Sequence, residues 1–418
     1  MRTRLLLLAF LTTSLWAQTI AIKAGNVIDP AKGTVAKEQI ILIENGKIKS
    51  IGSGLAVPAN AQIIDLSREW LMPGLMDAHT HLTLTEVIGG NAPFESFYLK
   101  ESSAYRAMRA LHNCQILLHA GFTTIRDVGN DADYAIKDTS RALQSGWFSG
   151  PTILTSGKII APFGGQSNAI PHEQGEFWKY EYLDADSPAE MRKAVRQNIY
   201  YGADLIKLVA DNNPYHLSLD EVRAAVDEAH HAGRPVAVHV YGGEAAQNVI
   251  EAGVDSLEHG FDLTDAQLQL MKQKGIVLVG TEFPKAHLEI IGTSGGIFPS
   301  PDVLAPKIID RLHRAHRMGV TLAFGTDSVI DVPGKTRADL MLDYLQVWRQ
   351  AGVPPADILK AMTANPAKLF RVDQERGAIA PGLAADIIAL PANPLDDIES
   401  LRQVNFVMKD GKVVRSPQ

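Results

Sequence analysis

An α/β fold, a barrel of eight parallel strands with a small sheet domain made from both chain ends, is what this sequence predicts. Three observations carry that expectation. Between Pro73 and about Phe370, short apolar runs alternate with stretches able to form helices, eight times in order. The runs are strand-length and rich in Val, Ile and Leu, as expected of strands buried on both faces. On either side of that region the helical stretches give way to short alternating runs broken by Asn-Gly and Asp-Gly.

In chain order, the first residues read "MRTRLLLLAFLTTSLWA". Arg2 and Arg4 precede an apolar run from Leu5 to Trp16 and a small residue, Ala17. This is the pattern of a cleaved export signal over residues 1–17, and it implies a periplasmic or secreted protein. No other run is long and apolar enough to span a membrane. Residues 18–72 contain "IAIKAGNVID", "QIILIENGKIKSIG" and "AQIIDL". These predict small antiparallel strands, with "ENGK" as a tight hairpin turn. Residues 73–370 supply the barrel strands "LMDAHTH", "FTTIRDVG", "PTILTSG", "DLIKLVA", "PVAVHVY", "DSLEHG", "IVLVGTEF" and "VTLAFGTD". Residues 371–418 return to short strands, "ADIIALPANP", "VNFVMKDG" and "KVV", so head and tail are expected to share one sheet domain.

A net charge of -7, with both signs interspersed along 418 residues, offers no basic face for nucleic acid or an anionic membrane. Cys114 is the single cysteine. An internal disulfide and a thiolate metal site are therefore both excluded, leaving His, Asp, Glu and Lys as candidate ligands.

Barrels of this kind carry their working residues at the C-terminal ends of the strands. His79 and His81 end the first strand two residues apart, a spacing that turns both imidazoles to one face. Lys207 lies in the fourth strand, His239 in the fifth, His259 in the sixth, and Asp327 ends the eighth. Each is a candidate ligand or base. Lys207, in "LIKLV", must be neutralised, paired or modified if the strand is buried. Two readings stay open: a pair with a carboxylate such as Glu258 or Asp327, or a carbamate formed with carbon dioxide that bridges two divalent metals. Two such metals lower the pKa of a shared water and polarise a carbonyl, and Asp327 is placed to carry the proton to a leaving nitrogen.

The segments "PGLMDAHTHL", "LIKL", "VHVYG", "LEHG" and "FGTDS", in this order, resemble the amidohydrolase superfamily, in the imidazolonepropionase-like branch that includes prolidase-like binuclear zinc dipeptidases. The resemblance extends into "GAIAPGLAADIIAL" and "MKDGKVV". It implies a β-sandwich for the composite end domain. It implies that His79, His81 and Asp327 bind one metal, that His239 and His259 bind a second, and that a carboxylated Lys207 bridges them, zinc being the expected metal. Tyr241 resembles a tyrosine that helps polarise the scissile carbonyl. One position departs from the pattern. Where related dipeptidases often carry a histidine after the third strand, this chain has Gln166, which donates a hydrogen bond but carries no charge. The loops "GGQSNAIPHEQGEFWKYEY" and "DNNPYHLS" are expected to touch substrate. The implied activity is hydrolysis of an amide bond in a small acylated amino acid or dipeptide. A cyclic amide or lactone hydrolase and a non-catalytic binding module are the alternatives, and the oligomeric state stays open, a homo-oligomer included.

Overall fold

The computed structural model describes residues 19–87, 99–167, 171–212, 215–292 and 299–417. The export signal expected at 1–17 lies outside the described residues, as do 168–170 and 213–214 of the two substrate loops.

The ends of the chain do share a sheet. Its seven strands run in the order Lys412–Arg415, Phe406–Lys409, Ile387–Leu390, Gln62–Pro73, Ile20–Asp29, Thr34–Glu44 and Lys47–Gly52. Alternation puts Ile22, Ile41, Leu66, Leu71, Ile387, Phe406 and Met408 into one buried cluster. The expected turns form: Asn45 and Gly46 take φ of 52° and 77°, and Asp410 and Gly411 take 47° and 73°. Positive φ at both central residues matches the right-handed strand twist. The two turns also pack on each other. A Cβ on Gly411 would lie 2.7 Å from the Cα of Gly46, so glycine is required where head meets tail. One expectation is corrected. The first strand, Ile20–Asp29, pairs antiparallel with Thr34–Glu44 but parallel with Gln62–Pro73. The intervening hairpin provides the long return that a parallel pairing needs.

The remaining principal strands are parallel and lie in two sheets. One orders Leu75–Thr80, Phe122–Asp127 and Thr152–Thr155. The other orders Tyr182–Asp184, Ile159–Ala161, Ile206–Val209, Val236–Gly242, Ser256–Asp262 and Val277–Val279. The strands Ile159–Ala161 and Tyr182–Asp184 were not anticipated. Backbone bonds link the two sheets at two places. On one side Asp204 N–H donates to Thr155 O at 2.7 Å. On the other, residues 321–324 bridge the gap: Leu278 pairs with Leu322, and Ala78 N–H donates to Phe324 O at 2.8 Å.

That bridging segment, "VTLAFGTD", was expected to be a regular eighth strand and is instead extended chain with a single β-bridge. Close approach is the physical reason. A Cβ on Gly325 would fall 2.4 Å from Val279 Cγ1 and 3.0 Å from the His79 nitrogen, so the backbone is pressed against both neighbours and leaves ladder geometry.

Helices cover the outer faces. "SLDEVRAAVDEAHHAG" forms Leu219–His231, started by a reciprocal capping box between Ser218 and Glu221. The following helix, Gly243–Ala252, stops at Gly253 with φ of 79°. Their apolar faces join one large core with Val222, Val226, Val249, Ile250 and Leu257. Among the described residues no helix is long and apolar enough to cross a membrane.

Candidate metal centre

His79 belongs to the strand Leu75–Thr80, in which every residue is buried. Its backbone N–H donates to Asp77 Oδ1 at 2.8 Å, and its Nδ1 lies 2.7 Å from Glu258 Oε2. His81, one residue past the strand, has its Nδ1 2.7 Å from Gly129 O. Both oxygens are acceptors, so each imidazole carries its proton on Nδ1 and leaves Nε2 as a free donor of electrons. These two atoms face Asp327, at 3.8 Å and 3.3 Å from its Oδ1. Ligand atoms of His79, His81 and Asp327 lie within 4.8 Å of one another.

His239 and His259 complete a tight imidazole group. Ring centroids are 4.4 Å apart for His239 and His259 and 5.1 Å for His79 and His259. His259 Nδ1 lies 2.8 Å from Thr281 Oγ1, a hydroxyl able to donate or accept. Lys207, 1% exposed in Ile206–Val209, has an Nζ with no hydrogen-bond partner among the described residues. A carboxylate pair, one of the two readings open for Lys207, is thus not formed as a hydrogen bond among the described residues, although Glu258 and Asp327 are near enough to act on its charge.

Electrostatics favour neutral donors. Burial, then the charge of Lys207, lowers His79 to about 4. Burial also pushes His239 and His259 well below their ordinary value. His81 is the exception, since Asp327 raises it against the opposing effect of burial. Burial lowers Lys207 to about 8, which brings its amine closer to the neutral, nucleophilic form. Asp327 is lowered: burial opposes ionisation, but His79, His81 and Lys207 outweigh it.

Two backbone features aim these groups. His259 has φ of 69° and Asp327 has φ of 52°. In a regular strand the adjacent residues Glu258 and His259 would face opposite sides. The left-handed turn at His259 lets both reach His79. Asp327 is further held by its N–H donating to His79 O at 2.7 Å.

The other expected residues also converge. Tyr241 has its ring 4.7 Å from that of His239 and stacks on Phe261 at 5.4 Å. Burial raises its phenol well above the ordinary value, so it stays a proton donor. Gln166 Nε2 lies 3.4 Å from His239 Nε2, so the glutamine does reach the site. Sequence reasoning missed the support beneath. Glu258 binds His79 with one oxygen, and with the other accepts from Arg126 Nη2 at 2.7 Å and Ser256 Oγ at 2.5 Å. A Glu beside a His in an apolar strand was the available signal. Asp211, just past the Lys207 strand, opens the loop "DNNPYHLS" that was expected to touch substrate but was not singled out.

Parallel strands thus bring a His-x-His pair, two further histidines, a buried lysine and an aspartate together, a set of nitrogen and oxygen groups of the kind that can hold metal ions. Residues 70–414 match the Amidohydrolase family, and the chain belongs to it. It is accordingly a hydrolase acting on carbon–nitrogen bonds. The chain is 30% identical to the ochratoxinase of Aspergillus niger over 440 aligned positions, which cover 96% of this chain and 88% of that one. A crystal structure of a Xaa-Pro dipeptidase with methionine bound in its active site superposes with a TM-score of 0.86 at 29% identity, covering 96% of this chain and 100% of the other. A prolidase complexed with N-methylphosphonate-L-proline superposes with a TM-score of 0.83 at 25% identity, covering 96% and 100%.

Proposed function

We propose that this chain is an exported, binuclear metal-dependent amidohydrolase that cleaves the amide bond of a small acylated amino acid or dipeptide. The observation that carries the reading is the convergence of His79, His81, His239, His259 and Asp327, with the charge of Lys207 acting on four of them and its Nζ without a hydrogen-bond partner among the described residues. That donor set fits a metal centre: its histidines are held neutral for the most part, and it offers nitrogen and oxygen ligands of the kind zinc accepts. His79, His81 and Asp327 would hold one cation and His239 and His259 the second. Lys207, as Nζ–COO⁻, would bridge them; its neutral amine bonds to the carbon of CO2 and releases one proton. Divalent cations bound there supply Lewis acidity toward a carbonyl and lower the pKa of water.

The chain's own groups supply the rest. Asp327 accepts the proton of the attacking water and returns it to the leaving nitrogen, which as an amine needs it. Tyr241, kept protonated, donates a hydrogen bond to the oxygen on which negative charge grows. Gln166 orients substrate as a neutral hydrogen-bond donor. The nearby Glu258 and Arg126 keep the His79 ring in one tautomer and one orientation.

The same reading treats the two parallel sheets as one closed (β/α)8 TIM barrel spanning residues 73–370. The backbone bonds that link the two sheets at two places support closure. Residues 18–72 and 371–418 form the second domain, a β-sandwich, supported by their common seven-stranded sheet. Export rests on Arg2, Arg4 and the apolar run before Ala17, and N-terminal sequencing of protein recovered outside the cytoplasm tests it.

The test of function is direct. Zinc-loaded protein is incubated with a mixed library of dipeptides and N-acyl amino acids, and the consumed members are identified by mass spectrometry. Consumption of amide-linked members, with close to two metal ions per chain, is expected. A saturated content near one ion, or no consumption at all, overturns the proposal.

A further inference from the structure

We infer that Thr281 is a positioning residue for the metal centre: its hydroxyl accepts the Nδ1 proton of His259 and so fixes which ring nitrogen that histidine offers to a cation. This inference rests on the metal-dependent reading of the same site and adds a residue to which that reading gives no role.

Thr281 lies just past the strand Val277–Val279 and is fully buried. Its φ is 46°. A branched Cβ makes that left-handed conformation a true outlier, and such outliers persist only where the surroundings hold them. Here a clamp grips both flanking residues. From the helix Pro301–Met318, the buried Arg311 donates through Nη2 to Gly280 O and through Nη1 to Glu282 Oε1, each at 2.8 Å. Gly280 permits this approach, since a Cβ there would fall on Arg311 Nη1 and Glu282 Oε1. Phe283 N–H then donates to Thr281 O at 2.7 Å and closes a three-residue turn.

The strained turn delivers one hydroxyl to one imidazole. Thr281 Oγ1 lies 2.8 Å from His259 Nδ1, and no other hydrogen bond to that ring forms among the described residues. Asp327 Oδ2, at 3.9 Å from the same nitrogen, is too far. His259 has a φ of 69°, so left-handed residues from two paired strands meet in this single bond. Its direction follows from what the imidazole must do. A hydroxyl donating to Nδ1 would put the ring proton on Nε2 and leave the neutral imidazole no lone pair for a metal. A hydroxyl that accepts leaves Nε2 as the ligand atom. That matches His79 and His81, whose Nδ1 atoms face Glu258 Oε2 and Gly129 O, and a ligating imidazole characteristically gives its second N–H to such an oxygen. The hydroxyl is uncharged, so it orients the ring without competing for the cation.

Two small changes to the full chain separate positioning from packing. Thr281→Val keeps the branched shape and the backbone strain but deletes the hydroxyl, whereas Thr281→Ser keeps the hydroxyl and deletes a methyl. Zinc affinity, read by competition with a chelator, should fall about 10–100-fold in Thr281→Val and stay within about threefold of wild type in Thr281→Ser. A residue that only packs predicts the reverse order, because the buried methyl is what Ser loses and Val keeps. That order, or equal affinity in all three proteins, overturns the inference. A second measurement needs no metal. In the metal-free protein, nitrogen NMR of isotope-labelled histidine should show His259 with its proton on Nδ1 in the wild type and in Thr281→Ser, and a mixture of tautomers in Thr281→Val. A wild-type His259 protonated on Nε2 refutes the inference. This arm decides it even if the wild type binds no zinc, a result that would instead overturn the metal-dependent reading.

Discussion

Replacing Glu258 with Ala removes the group on which the His79 side of the site rests, and its effect can be worked from the structure. Glu258 is 0% exposed and Arg126 2%. The carboxylate accepts from Arg126 Nη2 and lies against His79 Nδ1, both at 2.7 Å. Removing it leaves a buried guanidinium whose remaining hydrogen bonds among the described residues are to Ala78 O and Ser256 Oγ, and a His79 ring free to turn. Breaking one side of a buried ion pair costs about 3–5 kcal/mol. For a chain of this size, at ~2 °C per kcal/mol, Tm should fall by roughly 6–10 °C. Losing the carboxylate behind a ligating histidine lowers metal affinity about 10–100-fold. Glu258→Gln, which keeps the shape and can still bond His79, should show a smaller loss of both. Burial alone would raise the Glu258 carboxyl, but Arg126 and then His79 and Lys207 hold it well below the usual range. Its contribution is therefore present at any pH above the ordinary value of 4.5 and should persist on mild acidification. Differential scanning calorimetry and competition against a zinc-sensitive chelator measure the two effects. A Glu258→Ala protein with the wild-type Tm and zinc affinity would refute the account of His79 as a ligand held by this network.

Asp327→Asn keeps an oxygen and suits the left-handed backbone at φ 52°, so the fold should be retained while turnover, measured on the best library substrate, drops about a hundredfold to ten-thousandfold. Lys207→Ala should lower zinc content, read by elemental analysis, together with activity, and added acetate should restore part of both. A plain ammonium would repel nearby cations and predicts the opposite. Burial raises Asp343, but its contacts with His287 and Lys335 hold it at about 2. That contribution is full above the ordinary value of 3.8 and fades as pH falls toward 2, so the Tm gap between wild type and Asp343→Asn should narrow between pH 5 and pH 3.

What the sequence determined by itself is the order and chemistry of the donors. A His-x-His pair at a strand end, lone histidines in two later apolar runs, a lysine flanked by apolar residues and an aspartate after "FGT" are local facts, legible because strand periodicity and strand-end placement need no knowledge of neighbours. The two hairpin turns were legible for the same reason, since Asn-Gly and Asp-Gly encode their own backbone. Tertiary structure decided the rest. The left-handed residues His259 and Asp327 are not glycines; Asp and His take positive φ more often than most side chains, but residue type does not say which of them does, and that conformation is what aims both at His79. The eighth run lost its ladder because Gly325 is pressed against His79 and Val279, neighbours that are 246 and 46 residues away in sequence and that only the tertiary arrangement brings there. The bonds from Glu258 to His79 and Arg126 span 179 and 132 residues, and Asp211 meets His239 only through the register that pairs Val209 with His239. Long-range register sets such contacts, and a single sequence records the residues that meet without recording that they do.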